Sequence, residues 1–230
     1  MPTRKGYSRS MNDIENILRQ LSIWAIPVLF AITVHEVAHG WMAWKRGDPT
    51  AMLMGRLTLN PLKHIDPFGT ILLPAMLLLF HSPFLFGYAK PVPVNFAGLR
   101  DPKRDMVLVA IAGPVANLLM AAFWTLVLWL GVHFASNLPY FAEPLQLMGQ
   151  AGILINGVLF LFNLIPIPPL DGGRVAVGLL PQHASQVLSR VEPYGFIILI
   201  VLLFTGILWT VLGPAFELFQ GFFFRLGGLA

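Results

Sequence analysis

The stretch Ile32-Thr33-Val34-His35-Glu36-Val37-Ala38-His39-Gly40-Trp41 holds the residue types and spacing most specific for chemistry. Residues four apart on a helix share one face, so His35 and His39 can bring two imidazoles to one cation. Glu36 stands beside them, where a carboxylate could take a proton from a water on that metal. The motif lies near the end of an apolar run that begins at about Leu21. Three polar groups within a segment able to cross a bilayer are costly, and such residues are functional candidates by default. The pattern predicts a zinc peptidase site below the membrane surface. The plainer readings, two packing histidines and a Glu36 paired with some cation, explain less of this placement.

A catalytic zinc site usually has three protein ligands plus water, so two histidines leave it incomplete. The chain has no cysteine, which leaves His, Asp and Glu as donors. The candidates are His64, His81, His133, His183 and the carboxylates. Asp171 suits the role best, because it follows a segment broken by Pro166, Pro168 and Pro169. Gly172 and Gly173 then let the backbone turn sharply. An Asp in this position could equally cap a new helix, and spacing alone does not separate the two. His64, in a basic loop, reads as solvated, and His81 and His133 read as interfacial.

The elements that must position these groups follow from composition. Hydrophobic residues make up 56% of the chain and charged residues only 11%, against about 25% charged in soluble domains. An α-helical polytopic membrane protein follows, with about four full transmembrane helices. A re-entrant or interfacial segment and a small membrane-associated β-sheet complete the expected fold. Spans are expected over 21–44 (kinked at Pro27), 105–133, 151–164 and 193–212, the last ending at Gly213-Pro214. Residues 1–20 read as an N-terminal interfacial segment, 21–213 as the core and 214–230 as an interfacial tail. The basic start (Arg4, Lys5, Arg9) resembles a signal peptide, but cleavage after the apolar stretch would cut at the metal motif. Residues 136–150 read as a loop and 182–191 as a surface helix. Weak alternation over 52–60 and the segment 90–95, where Pro91 and Pro93 favour a sheet edge, suggest two short strands.

Three motifs in this order resemble the site-2 protease family of intramembrane zinc metalloproteases. They are His35-Glu36-x-x-His39, Gly113-x-x-x-Asn117, and Asn163-x-x-Pro166 leading to Asp171-Gly172. The pieces Asn60-Pro61-Leu62-Lys63-His64-Ile65-Asp66-Pro67 and Gly87-Tyr88-Ala89-Lys90-Pro91-Val92-Pro93-Val94-Asn95 are similar to a compact bacterial branch without PDZ or CBS domains. The similarity covers most of residues 20–195, although Pro168-Pro169 stand in the stretch before Asp171, where many members have a shorter or different spacer. The resemblance implies that His35, His39 and Asp171 bind zinc and that Glu36 activates water. Its substrates would be membrane proteins or membrane-bound peptides.

If those three residues share one ion, an even number of crossings separates His39 from Asp171. The segments 105–133 and 151–164 supply two, so Phe68 to Phe86 should not cross. Ten Lys and Arg (Lys45, Arg46, Arg56, Lys63, Lys90, Arg100, Lys103, Arg104, Arg174, Arg190) then lie on the metal side and five (Arg4, Lys5, Arg9, Arg19, Arg225) opposite. That bias places the active site toward the cytoplasm of a multi-pass cell-membrane protein. The net charge of +4 is thus a topology signal and not evidence for nucleic acid. Asn117 and Asn163 could bind the substrate backbone or an oxyanion, or simply bond neighbouring helices. Gly113 reads chiefly as a close-packing residue. The rival functions are a membrane metal-ion transporter and a non-catalytic membrane scaffold. The first lacks an inverted repeat, and Glu36 suits water activation better than ion transit.

Overall fold

The computed structural model describes residues 4–73, 76, 79, 89–137 and 139–229. Helix α1 runs from Arg4 to Arg46 and continues through Pro27. It ends on Lys45 and Arg46, cations suited to the negative end of a helix dipole. Gly47 then takes a positive φ of 112°, a conformation that costs glycine little. Asp48, buried just beyond, accepts hydrogen bonds from Thr50 N at 3.0 Å and Asn95 N at 2.7 Å. The exit of α1 is thereby tied to a segment about fifty residues later.

A short helix, α2 (Thr50–Leu53), follows. Beyond it are a 3-10 turn over Pro61–Lys63 and a wide turn over Pro67–Leu72, whose first amides are capped by Asp66. Two long helices come next, α3 (Pro102–His133) and α4 (Pro139–Asn163). Shorter helices α5 (Asp171–Leu179), α6 (Gln182–Ser189) and α7 (Glu192–Phe204) lead to α8 (Ile207–Leu226). Among the described residues four helices are long and apolar enough to cross a membrane: Leu18–Arg46, Pro102–His133, Pro139–Asn163 and Ile207–Leu226.

The bundle closes through glycines, as helices do where lipid supplies no hydrophobic drive and close backbone approach gains dispersion energy. A Cβ on Gly149 would stand 2.7 Å from Leu128 N, and one on Gly152 would enter the Trp124 ring. Around this seam Ala121, Trp124, Leu128, Ile153 and Phe223 form a buried cluster. Gly227 abuts Leu128, so the end of α8 lies beside the end of α3. Arg19 of α1 and Glu143 of α4 form an exposed ion pair. All of these contacts lie on the side away from Lys45 and Arg46.

The expected small β-sheet does not form among the described residues. Met52 and Leu53 belong to α2, and 89–95 is extended without a partner strand. Its polar groups meet other things. Lys90 N donates to His64 O (3.0 Å), Val92 N to Glu36 (2.7 Å) and Asn95 N to Asp48 (2.7 Å), while Lys90 O accepts from Arg56 (2.7 Å). Pro91 and Pro93 offer no N–H at all.

The loop expected over 136–150 is mostly helix, because Pro139 occupies a first-turn position where its missing N–H costs nothing. The span expected over 193–212 is interrupted after Phe204, where Gly206 adopts φ 75°. The helix beginning at Ile207 continues through Gly213-Pro214 to Leu226, so a boundary at 213/214 falls inside it. Most of the excursion expected over 68–86, with His81, and the Gly87-Tyr88 part of the resemblance lie outside the described residues.

Candidate metal centre

His35 and His39 point from one face of α1 toward the start of α5. Their Nε2 atoms are 3.0 Å apart, and each stands 3.3 Å from Asp171 Oδ2. His35 is buried, and the three side chains form the one group of its kind among the described residues. Ligands about 2.0–2.1 Å from a tetrahedral zinc stand roughly 3.3–3.4 Å from one another. The observed triangle therefore has the dimensions of one face of such a site.

The donor chemistry agrees. His35 Nδ1 faces Asn117 Oδ1 at 2.5 Å, and His39 Nδ1 faces the Val109 carbonyl at 2.7 Å. Both partners only accept, so each Nδ1 carries the proton and each Nε2 presents a lone pair. Asp171 Oδ2 is buried and has no hydrogen-bond partner. Three acceptor lone pairs converging on one point repel each other unless a cation lies between them.

The backbone makes room for this convergence. A Cβ on Gly113 would stand 2.4 Å from His39 Nε2 and 2.6 Å from His35 Cε1. The glycine lets α3 cross directly over the imidazoles, so its packing partner is the site itself. Gly172 and Gly173 do the same for Asp171. Cβ atoms there would meet Leu164 O at 2.3 Å and Pro168 N at 2.2 Å, so only glycines allow α5 to begin against the proline-broken segment.

Glu36 is partly buried, and its Oε2 accepts from Val92 N at 2.7 Å. The carboxylate is thus pinned by the segment 89–95, which Gly40 admits against α1: a Cβ there would lie 2.7 Å from Val92 Cγ1.

The two candidate amides differ. Asn117 is fully buried, and its Nδ2 donates to Ala31 O (3.2 Å) and Asn156 Oδ1 (2.9 Å). Both of its N–H groups are thus used inside the bundle, and its Oδ1 faces His35. Asn163, half-buried, donates to Leu159 O at 2.9 Å. Of the remaining histidines, His64 departs from expectation. It is buried, with Nε2 2.9 Å from Thr58 O, and it packs under the loop instead of facing water. His133 and His183 are exposed and apart from the site. Sequence reasoning missed Val92 N and Asn156, since a backbone amide has no side-chain signature and a lone Asn in an apolar helix resembles a packing residue.

A family model described as "Peptidase family M50" matches residues 140–206, which include Asn163 and Asp171. The chain is 44% identical over 191 residues to a Bacillus subtilis protein named "Putative zinc metalloprotease YwhC", covering 82% of this chain and 83% of that one. It is 32% identical over 201 residues to a Mycolicibacterium smegmatis relative of the same description, Rip2, covering 85% of this chain and 70% of the other. No solved structure matches the chain. Identity at this level over most of both proteins shows common descent, and the chain belongs to peptidase family M50, the site-2 protease family.

Proposed function

We propose that this multi-pass membrane peptidase is an intramembrane zinc metalloprotease, cutting peptide bonds in or near transmembrane segments of membrane proteins. The observation that carries this reading is the convergence of His35 Nε2, His39 Nε2 and the unpartnered Asp171 Oδ2 on one point. These three residues would hold zinc. When bound, zinc supplies Lewis acidity, lowering the pKa of a water toward about 7 and polarising a carbonyl.

The chain's own residues do the rest. Glu36 takes the proton of the attacking water and returns it to the leaving amine. The Val92 amide fixes one oxygen of that carboxylate, which limits its rotation and leaves the other oxygen for the proton. Val109 O and Asn117 hold the two imidazoles in the tautomer that a metal needs. Asn163 retains amide capacity for an unwound substrate backbone. The surrounding helices leave the three side chains only 9–13% exposed, which keeps bulk water from the site. The Lys and Arg bias supports a site opening toward the cytoplasm.

The test uses full-length protein in detergent with a membrane-protein substrate. Glu36→Gln should lower cleavage by about 10²–10⁴-fold while zinc content stays at the wild-type level. Asp171→Ala should lose the zinc. Cleavage by the Gln variant at the wild-type rate, or full zinc content in the Ala variant, would defeat this reading. A transporter or scaffold would show no protease activity to lose.

A further inference from the structure

We infer that Asn156, a residue outside the metal set, is a positioning residue that fixes which nitrogen of His35 faces the metal. The inference rests on the zinc reading above and concerns how one ligand is prepared. Asn156 lies on α4, is fully buried, and its Nδ2 donates to Gly152 O at 2.8 Å, one turn back on its own helix. That bond decides the direction of its amide: Oδ1 must face away, toward Asn117 Nδ2 at 2.9 Å. Asn117 Nδ2 in turn faces two acceptors, Asn156 Oδ1 and Ala31 O, so its Oδ1 must face His35 Nδ1 at 2.5 Å. The order of donors runs one way through three helices, from His35 to Asn117 to Asn156 to the α4 backbone.

The direction matters because an asparagine amide is nearly symmetric in shape and opposite in polarity at its two ends. Were Asn117 turned over, its NH2 would meet His35 Nδ1 and require that nitrogen to accept. The proton would then sit on Nε2, the atom aimed at His39 and Asp171, and His35 could not ligate. In the observed arrangement a turned Asn117 would point its oxygen at two other oxygens, which forbids it. Ala31 O alone supplies one of those two. Asn156 supplies the other, and it comes from the helix that ends at Asn163 and leads to Asp171. The helix that leads to the carboxylate ligand thus also sets the polarity of an imidazole ligand on α1.

The experiment uses purified full-length protein in detergent, stripped of metal, with zinc affinity measured by competition against a chelator. Asn156→Leu removes both polar ends at similar size and should weaken zinc binding about 10- to 100-fold, the usual effect of losing a group that orients a ligand. Asn156→Asp, its buried carboxyl kept neutral so that the hydroxyl donates to Gly152 O, keeps an oxygen toward Asn117 and should stay within about threefold of wild type. Nitrogen-15 NMR of histidine-labelled apo protein, with His35 assigned by comparison with His35→Gln, reads the tautomer directly. Wild type should show the proton on Nδ1, and Asn156→Leu should show protonated Nε2 gaining population. A merely structural Asn156 would lower thermal stability and leave affinity and tautomer unchanged, which would overturn the proposal. A wild-type His35 with its proton on Nε2 would overturn it too, without any variant. His35→Ala separates the two readings: retained zinc in that variant defeats the metal site itself, whereas lost zinc with a normal Asn156→Leu defeats only the role of Asn156.

Discussion

Gly113 leaves no room for a side chain beside the two imidazoles of the proposed metal site. Alanine at this position would put a methyl group 2.4 Å from His39 Nε2, so either α3 withdraws or both rings turn. Overpacking of this kind costs about 1–3 kcal/mol, and here the strain falls on the ligands. Gly113→Ala is expected to lose most bound zinc while the bundle still folds, checked by zinc content beside thermal unfolding. Normal zinc would mean that α3 can shift outward without consequence. Much of the site could be read from individual residues. His35, Glu36 and His39 are legible because the helical repeat alone puts the two rings together. Asp171 is legible once glycines and prolines mark a sharp turn at the end of an apolar segment. What orients these groups is not legible. Asn156 and Asn117 meet only because α3 and α4 pack at Gly149 and Gly152, and the Val109 carbonyl belongs to the backbone.

The segment 89–95 shows how an element can be placed well and typed wrongly. Its valines and prolines suggested a strand, and it is extended, but it serves as a strap across α1. Val92 is the link, with its side chain buried against Gly40 and its N–H on Glu36. Val92→Pro would delete that donor, while Val92→Ala would keep it and remove only packing. The proline variant should therefore cleave about 10- to 100-fold more slowly than the alanine variant, since small misplacements of a catalytic group cost that much. Both should retain zinc, because Glu36 is not in the ligand triangle. Equal rates in the two variants would show that the strap does not hold the base. Apolar runs make 21–44 of α1 and nearly all of α3 legible, whereas the polar residues from Arg4 on, read as a separate interfacial segment, belong to the same helix as the span. The start of α4 was hidden by Pro139 and Pro144, and the break before α8 depends on one glycine with positive φ, to which hydropathy is blind.

Across the whole molecule, charge and packing can be compared at its two ends. One end carries the exit of α1, where Arg46 lies 3.7 Å from Asp105. It also carries the α5–α6 junction, where Lys103 donates to Leu180 O at 2.7 Å, and Arg174 over Phe96 at 5.1 Å. The other end carries Arg19 with Glu143 and the junction of α3 with α4. Arg225 belongs there too, because the neighbouring Gly228 stands against His133. The packing thus assigns Arg225 to the side that the parity of crossings required. If positive charge sets orientation, the end rich in Lys and Arg, where the path to the metal site would open, faces the cytoplasm. A reporter active only in the cytoplasm should then give signal when inserted at the Leu180-Pro181 junction or after Gly47. It should give none within 134–137, and a reporter active only outside should behave in reverse. Cytoplasmic signal from 134–137 would invert the molecule, and substrates would then have to be cut from the opposite face. Equal signals at 47 and 135 would be worse for the reading, since they would place both ends of α3 on one side and separate Asp171 from the two histidines.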